Sequence, residues 1–116
     1  WEPMLNARAM TAAACARAGV KAIDVPYLAV RDEAGLEAET RRVKALGYAA
    51  KACIHPAQVE AVNRVFTPGE DEIAEARRVV EALESAGGGA ALLDGKLIEA
   101  PIIRRVRRVF DAAGEA

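Results

Sequence analysis

The sequence predicts an α/β fold built around one strand–helix–strand unit, and three observations lead there. Residues 21–30, KAIDVPYLAV, are short, β-branched and apolar, as a strand is. Residues 50–54, AKACI, form a second short apolar run. Between them, residues 33–46 place Leu36, Val43 and Leu46 on one helical face. Two strands joined by such a helix pair in parallel, through a right-handed crossover.

The remaining elements follow in order. Residues 3–18 are Ala-rich, with Pro3 near the start and Gly19 as a helix stop. Pro26 marks the end of the first strand or an irregularity in it. Asp32 is placed to cap the helix over 33–46, and Gly47 to end it. Pro56 opens a short helix over 56–66, with Val59, Val62, Val65 and Phe66 as its apolar face. Thr67-Pro68-Gly69-Glu70 reads as a capping box. The helix after it runs to about Ser85, carries a stripe of Ile73, Ala76, Val80 and Leu83, and is stopped by Gly87-Gly88-Gly89. Residues 90–99, AALLDGKLIE, read as a hairpin turning at Asp94-Gly95. Pro101 opens a last helix with Ile102, Val106, Val109 and Phe110 facing inward.

Composition narrows the function classes. The 116 residues are 53% hydrophobic but only 4% aromatic, so the core is mostly Ala, Val, Leu and Ile. A net charge of −1 gives no reason to expect nucleic acid or an anionic membrane as partner. No apolar run of 18 residues and no signal peptide are seen, so a cytoplasmic protein is expected. Cys15 and Cys53 are too few and too far apart for a disulfide framework or metal site, and Cys53, inside the second strand, is expected to be a buried thiol. Two parallel strands normally lie in a sheet covered on both faces, and here both edges of the pair would be open. The expected repair is further strands before Trp1, which also suits a chain that opens at Trp rather than Met.

The residues that carry chemistry are few. Ile54-His55-Pro56 sits at the C-terminal end of an apolar strand, where an α/β barrel builds its active site. His55, the only histidine, either holds the strand–helix turn or lines a cleft. Asp24, a carboxylate inside an apolar strand, either lines a site or pairs with an arginine from elsewhere. Arg104, Arg105, Arg107 and Arg108 read as a solvated face, because no aromatic residues interleave with them. No phosphate loop, paired CxxC or His/Glu metal spacing occurs.

Four blocks in order carry a resemblance. Asn6-Ala7-Arg8 precedes an Ala-rich helix, and Ala22-Ile23-Asp24 is followed by RDEAGL at 31–36. KACIHPAQ at 51–58 is followed by NRVFTP at 63–68, and LDGKLIEAP stands at 93–101. Together they resemble the C-terminal part of the citrate lyase β-subunit-like family of CoA-ester lyases, which includes malyl-CoA and citramalyl-CoA lyases. The resemblance implies the C-terminal portion of a TIM (β/α)8 barrel. Residues 1–67 would supply its last two parallel strands and their helices, and residues 68–116 a helix–hairpin–helix lid. It implies a carbon–carbon lyase acting on a 3-hydroxyacyl-CoA such as malyl-CoA or citramalyl-CoA.

The cofactor implied is Mg²⁺, with its Glu and Asp ligands in strands before Trp1 and none in this chain. Implied site residues are Asp24, Ile54, His55 and Pro56 for the CoA-thioester substrate. Glu99 would be the catalytic acid–base group, on a lid over a neighbouring subunit of a homotrimer or homohexamer. Three positions depart from the family pattern: Ala29 stands where a second Asp is common, Ala50 where a Gly precedes the Lys, and Glu99 where the lid carries Asp. On this reading the isolated 116 residues are inactive. The alternative is a non-catalytic remnant or assembly subunit without the metal-binding half.

Overall fold

The computed structural model describes residues 1–87 and 89–114, which form two compact units, Trp1–Phe66 and Thr67–Ala116. The first contains helix α1 (Glu2–Ala18), strand β1 (Ile23–Asp24), helix α2 (Glu33–Leu46), strand β2 (Ala50–Lys51), a 3-10 turn (Pro56–Gln58) and helix α3 (Val59–Phe66). The second contains helix α4 (Glu70–Ser85), strands β3 (Leu92–Leu93) and β4 (Lys96–Leu97), and helix α5 (Ala100–Ala113).

The strand–helix–strand unit is parallel, with Ile23 opposite Ala50 and Asp24 opposite Lys51. Ala49 N–H donates to the Ala22 carbonyl and Ala52 N–H to that of Asp24, which extends the pairing by one bond at each end. The strands are far shorter than the apolar runs at 21–30 and 50–54. Hydrogen bonding defines a strand, and among the described residues only this short overlap has a partner; Pro26 then takes the chain out of line. Cys53 therefore lies beyond the strand and is exposed, not the buried thiol expected.

Helix α2 starts and stops where its sequence places it. Asp32 Oδ1 accepts from Gly35 N–H at 2.9 Å, and the helix ends at Gly47. Leu36, Thr40 and Val43 are its buried residues, and they pack toward α1 and α3. One apolar cluster gathers Ala12, Ala22, Val43 and Tyr48; another gathers Leu36, Ala61 and Val62 with Tyr27 and Phe66 against them. The helix expected over 56–66 begins with the 3-10 turn. Val59 is 45% exposed rather than on the apolar face. Val59 and Val65 are six residues apart, so about 120° separates them around a helix, and Val59 falls at the edge of the stripe.

In the second unit α4 and α5 pack together with the hairpin. Ala76, Val79, Ala91, Ile98 and Val106 form its buried centre, flanked by Val80, Leu83, Ile102, Val109 and Phe110. The expected capping box does not form: Gly69, which has no side chain to cap with, is the N-cap, and only the returning half is present, Glu72 Oε2 accepting from the Gly69 N–H at 3.4 Å. Pro68 cannot donate a backbone hydrogen bond, and the helix starts only after it. The hairpin pairs Leu92 with Leu97 and Leu93 with Lys96. Both turn residues have positive φ, Asp94 at 50° and Gly95 at 76°, as a two-residue type I′ turn requires. Of the glycines expected to end α4, Gly88 lies outside the described residues; the helix itself ends at Ser85.

Candidate functional site

The C-terminal ends of β1 and β2 bring most of the candidate residues into one region. Below them lies a group of four charges, three of them buried and the fourth, Glu39, partly exposed. Arg8 of α1 is 6% exposed, Asp24 of β1 4% and Lys51 of β2 5%. Arg8 Nε donates to Asp24 Oδ1 at 2.8 Å and its Nη2 to Asp24 Oδ2 at 3.1 Å. Lys51 Nζ donates to Asp24 Oδ2 at 2.6 Å, to Glu39 Oε1 at 2.7 Å and to the Val25 carbonyl at 2.8 Å. Those three bonds use all the donors of an ammonium group. Arg8 Nη2 also reaches Glu39 Oε1 at 3.3 Å. Two cations face two carboxylates, so the group is neutral as a whole.

Burial pushes the Asp24 carboxyl up, but the hydrogen bonds from Arg8 and Lys51, with their charges, outweigh it and hold the group below the usual carboxylate range. The arginine paired with Asp24 comes from α1 of this same chain. Tyr48 O–H donates to the Arg8 carbonyl at 3.1 Å, and the Arg8 and Arg42 guanidinium groups both lie over the Trp1 ring, with their carbons 4.5 and 4.1 Å from its centroid.

Above this group the chain turns outward. Ile54 is 54% exposed, and His55 and Pro56 are exposed beside it. His55 heads the 3-10 turn, where its Nδ1 accepts from Ala57 N–H at 3.1 Å. An accepting Nδ1 puts the proton of the neutral ring on Nε2, which leaves that edge free to donate. Gln58 is 1% exposed; its Oε1 accepts from Ile54 N–H at 3.0 Å and its Nε2 donates to the Tyr27 carbonyl at 2.7 Å. Tyr27 O–H donates to Asp32 Oδ2 at 2.7 Å, and that bond and the Gly35 N–H together hold the Asp32 carboxyl below its ordinary range. Gly35 makes this contact possible, since a Cβ there would run into the Asp32 carboxylate and the Tyr27 hydroxyl.

Glu99 lies in the second unit. It is the exposed N-cap of α5, and its carbonyl accepts from Ile102 and Ile103 N–H at 2.9 and 3.2 Å, while its side chain makes no capping bond. Arg8, Glu39, Lys51, Tyr27 and Gln58 were not picked out from the sequence as site residues. One signal was present: Asp24 and Lys51 each place a charge inside an apolar strand of the same βαβ unit. Among the described residues no three His, Cys, Asp or Glu side chains converge as a metal site requires. Asp24 and Glu39 already accept from Arg8 and Lys51, so the residues present do not fit a Mg²⁺ ion.

Comparison with known proteins gives these features a family. The HpcH/HpaI aldolase/citrate lyase family profile matches residues 2–56, which include Arg8, Asp24, Lys51 and the corner Ile54-His55-Pro56. Citrate lyase subunit beta of Escherichia coli (strain K12) is 37% identical over 113 residues, 95% of this chain and 37% of that protein. L-malyl-CoA/beta-methylmalyl-CoA lyase of Cereibacter sphaeroides (strain ATCC 17025 / ATH 2.4.3) is 37% identical over 115 residues, 97% of this chain and 36% of that protein. The crystal structure of protein CitE from Mycobacterium tuberculosis, in complex with magnesium, acetoacetate and coenzyme A, superposes with a TM-score of 0.78 at 31% identity, covering 93% of this chain and 40% of that one. The chain thus spans well under half the length of the relatives it matches. It belongs to the HpcH/HpaI aldolase/citrate lyase family, among relatives that include citrate lyase beta subunits and malyl-CoA lyases.

Proposed function

We propose that the chain works as part of a Mg²⁺-dependent CoA-ester lyase that cleaves or forms a carbon–carbon bond in a 3-hydroxyacyl-CoA such as malyl-CoA or citramalyl-CoA. The observation that carries this reading is the likeness, across 93% of the chain, to a structure complexed with magnesium, acetoacetate and coenzyme A. In this reading residues 1–67 belong to a TIM barrel and residues 68–116 to a lid. The ends of β1 and β2 face the CoA ester through Ile54, His55 and Pro56. Asp24 acts below them through Arg8 and Lys51, which its two oxygens hold. Mg²⁺ binds carboxylates outside these residues, so the 116 residues alone are inactive.

Glu99 supplies the acid–base group from the lid, over the site of a neighbouring subunit in a homo-oligomer. Its exposed carboxylate, free of any capping bond, is available for that role. A cytoplasmic location belongs to the same reading. Among the described residues no helix is long and apolar enough to cross a membrane.

The test is an assay of the full-length protein with Mg²⁺ and malyl-CoA or citramalyl-CoA, read as release of glyoxylate or pyruvate. Turnover that chelation abolishes is the expected result. A folded protein that turns over neither ester, in either direction, would overturn the reading and favour an assembly subunit. Glu99→Gln is expected to lower turnover by roughly 10²-fold while ester binding changes little, as general acid–base contributions run. Glu99→Asp should retain much of the activity.

A further inference from the structure

Gln58 is almost fully buried, at 1% exposed, although Ile54, His55, Pro56 and Ala57 just before it are all exposed. A leucine or methionine would fill the same space without desolvating an amide, so the amide is expected to do something that packing alone does not. What it does is visible in its two bonds. Its Oε1 takes the Ile54 N–H and its Nε2 gives to the Tyr27 carbonyl, 31 residues away. Ile54 is in the loop after β2 and Tyr27 in the loop after β1. The Tyr27 loop is itself tied to the start of α2 through the Asp32 carboxylate. A chain of hydrogen bonds therefore runs from the α2 N-terminus through Tyr27 and Gln58 to the corner Ile54-His55-Pro56.

We propose that Gln58 is a positioning residue: its amide locks the two strand-end loops together and holds the corner Ile54-His55-Pro56 in the shape that receives the CoA ester. The inference rests on the lyase reading above and adds a residue to it. Without the lock, the corner keeps the bonds from Gln58 N–H to the His55 carbonyl and from Ala57 N–H to His55 Nδ1, and the short β pairing below it, but neither of those two bonds reaches Ile54 or the Tyr27 loop. Rigid placement matters at such a site, because small positional errors cost rate and affinity.

The experiment uses the full-length enzyme with two substitutions. Gln58→Met keeps the length of the side chain and removes both bonds. Hydrogen exchange in a peptide covering residues 53–58, read by mass spectrometry, is expected to quicken about tenfold, the effect of one typical hydrogen bond lost. KM for the CoA ester should rise by a similar factor, with kcat changed less. Gln58→Glu carries one acceptor and, when protonated, one donor, so it can replace the amide only in its neutral form. Relative to wild type at each pH, its exchange and KM should return toward normal as pH falls.

Slow exchange in Gln58→Met, quickened exchange with an unchanged KM, or a Gln58→Glu variant insensitive to pH would each overturn the proposal. If the wild-type enzyme turns over no CoA ester, the lyase reading fails instead, and the exchange measurements still decide whether Gln58 locks the loops.

Discussion

The two units of this chain bury different kinds of side chain. Arg8, Asp24, Thr40, Lys51 and Gln58, the buried polar residues among those described, all lie in Trp1–Phe66. The centre of Thr67–Ala116 is Ala76, Val79, Ala91, Ile98 and Val106, apolar throughout. Apolar burial is non-directional, so it holds α4, the hairpin and α5 together without fixing any one side chain to high precision. Charged and amide groups at 2.6–3.1 Å fix both distance and direction. The unit that spends buried volume on polar groups is also the one whose strand ends carry the candidate site. The comparison teaches that here polar burial sets geometry, and apolar burial sets cohesion.

The largest expected effect breaks the polar side. Lys51→Met leaves Asp24 and Glu39 facing each other with one cation fewer, and removing one partner of a buried ion pair typically costs about 3–5 kcal/mol. Hydrogen exchange of the full-length protein, read peptide by peptide, should show that loss in residues 1–66 and little in 67–114. The same contrast has a pH form. The folded Asp24 carboxyl titrates below its unfolded value, near the 3.8 of a free Asp. Its contribution is therefore complete above that value and is lost as pH falls through the lowered folded value. Protection of β1 and β2 should fall in acid before that of the apolar centre around Val79 and Val106. Simultaneous loss would remove the distinction.

Ile98→Ala breaks the apolar side and is expected to cost about 2 kcal/mol, near the low end for such truncations because Ile98, at 9% exposed, is the least buried residue of that centre. The loss should appear in residues 67–114 and should not depend on pH in the carboxylate range. Gly35→Ala sharpens the comparison by sign. In an open helix this change stabilises by about 1 kcal/mol. Here a Cβ meets the Asp32 carboxylate and the Tyr27 hydroxyl, so thermal unfolding should show destabilisation. The smallest effect is Arg78→Ala, which removes the exposed pair with Asp94 at 2.8 and 3.0 Å; less than about 1 kcal/mol is expected, falling further with added salt.

By itself the sequence determined the elements whose signals are local. Asp32 and Gly47 bound α2, Gly19 ends α1, and Asp94-Gly95 turns the hairpin, because caps and turns depend on side chains and φ angles within a few residues. The parallel pairing of β1 and β2 was also legible, since a strand, a helix and a strand leave one chirality and one direction. The family blocks were legible for the same reason, as ordered residues along one chain. What the tertiary structure decided depends on residues far apart in sequence. Arg8, Asp24, Glu39 and Lys51 meet only because α1, β1, α2 and β2 pack together, and no local pattern states that one lysine would serve two carboxylates. The strands shrank to two residues each because a strand needs a hydrogen-bonded partner, which an apolar run does not itself provide. Gln58 stood in plain view within KACIHPAQ, but its role rests on a carbonyl 31 residues away.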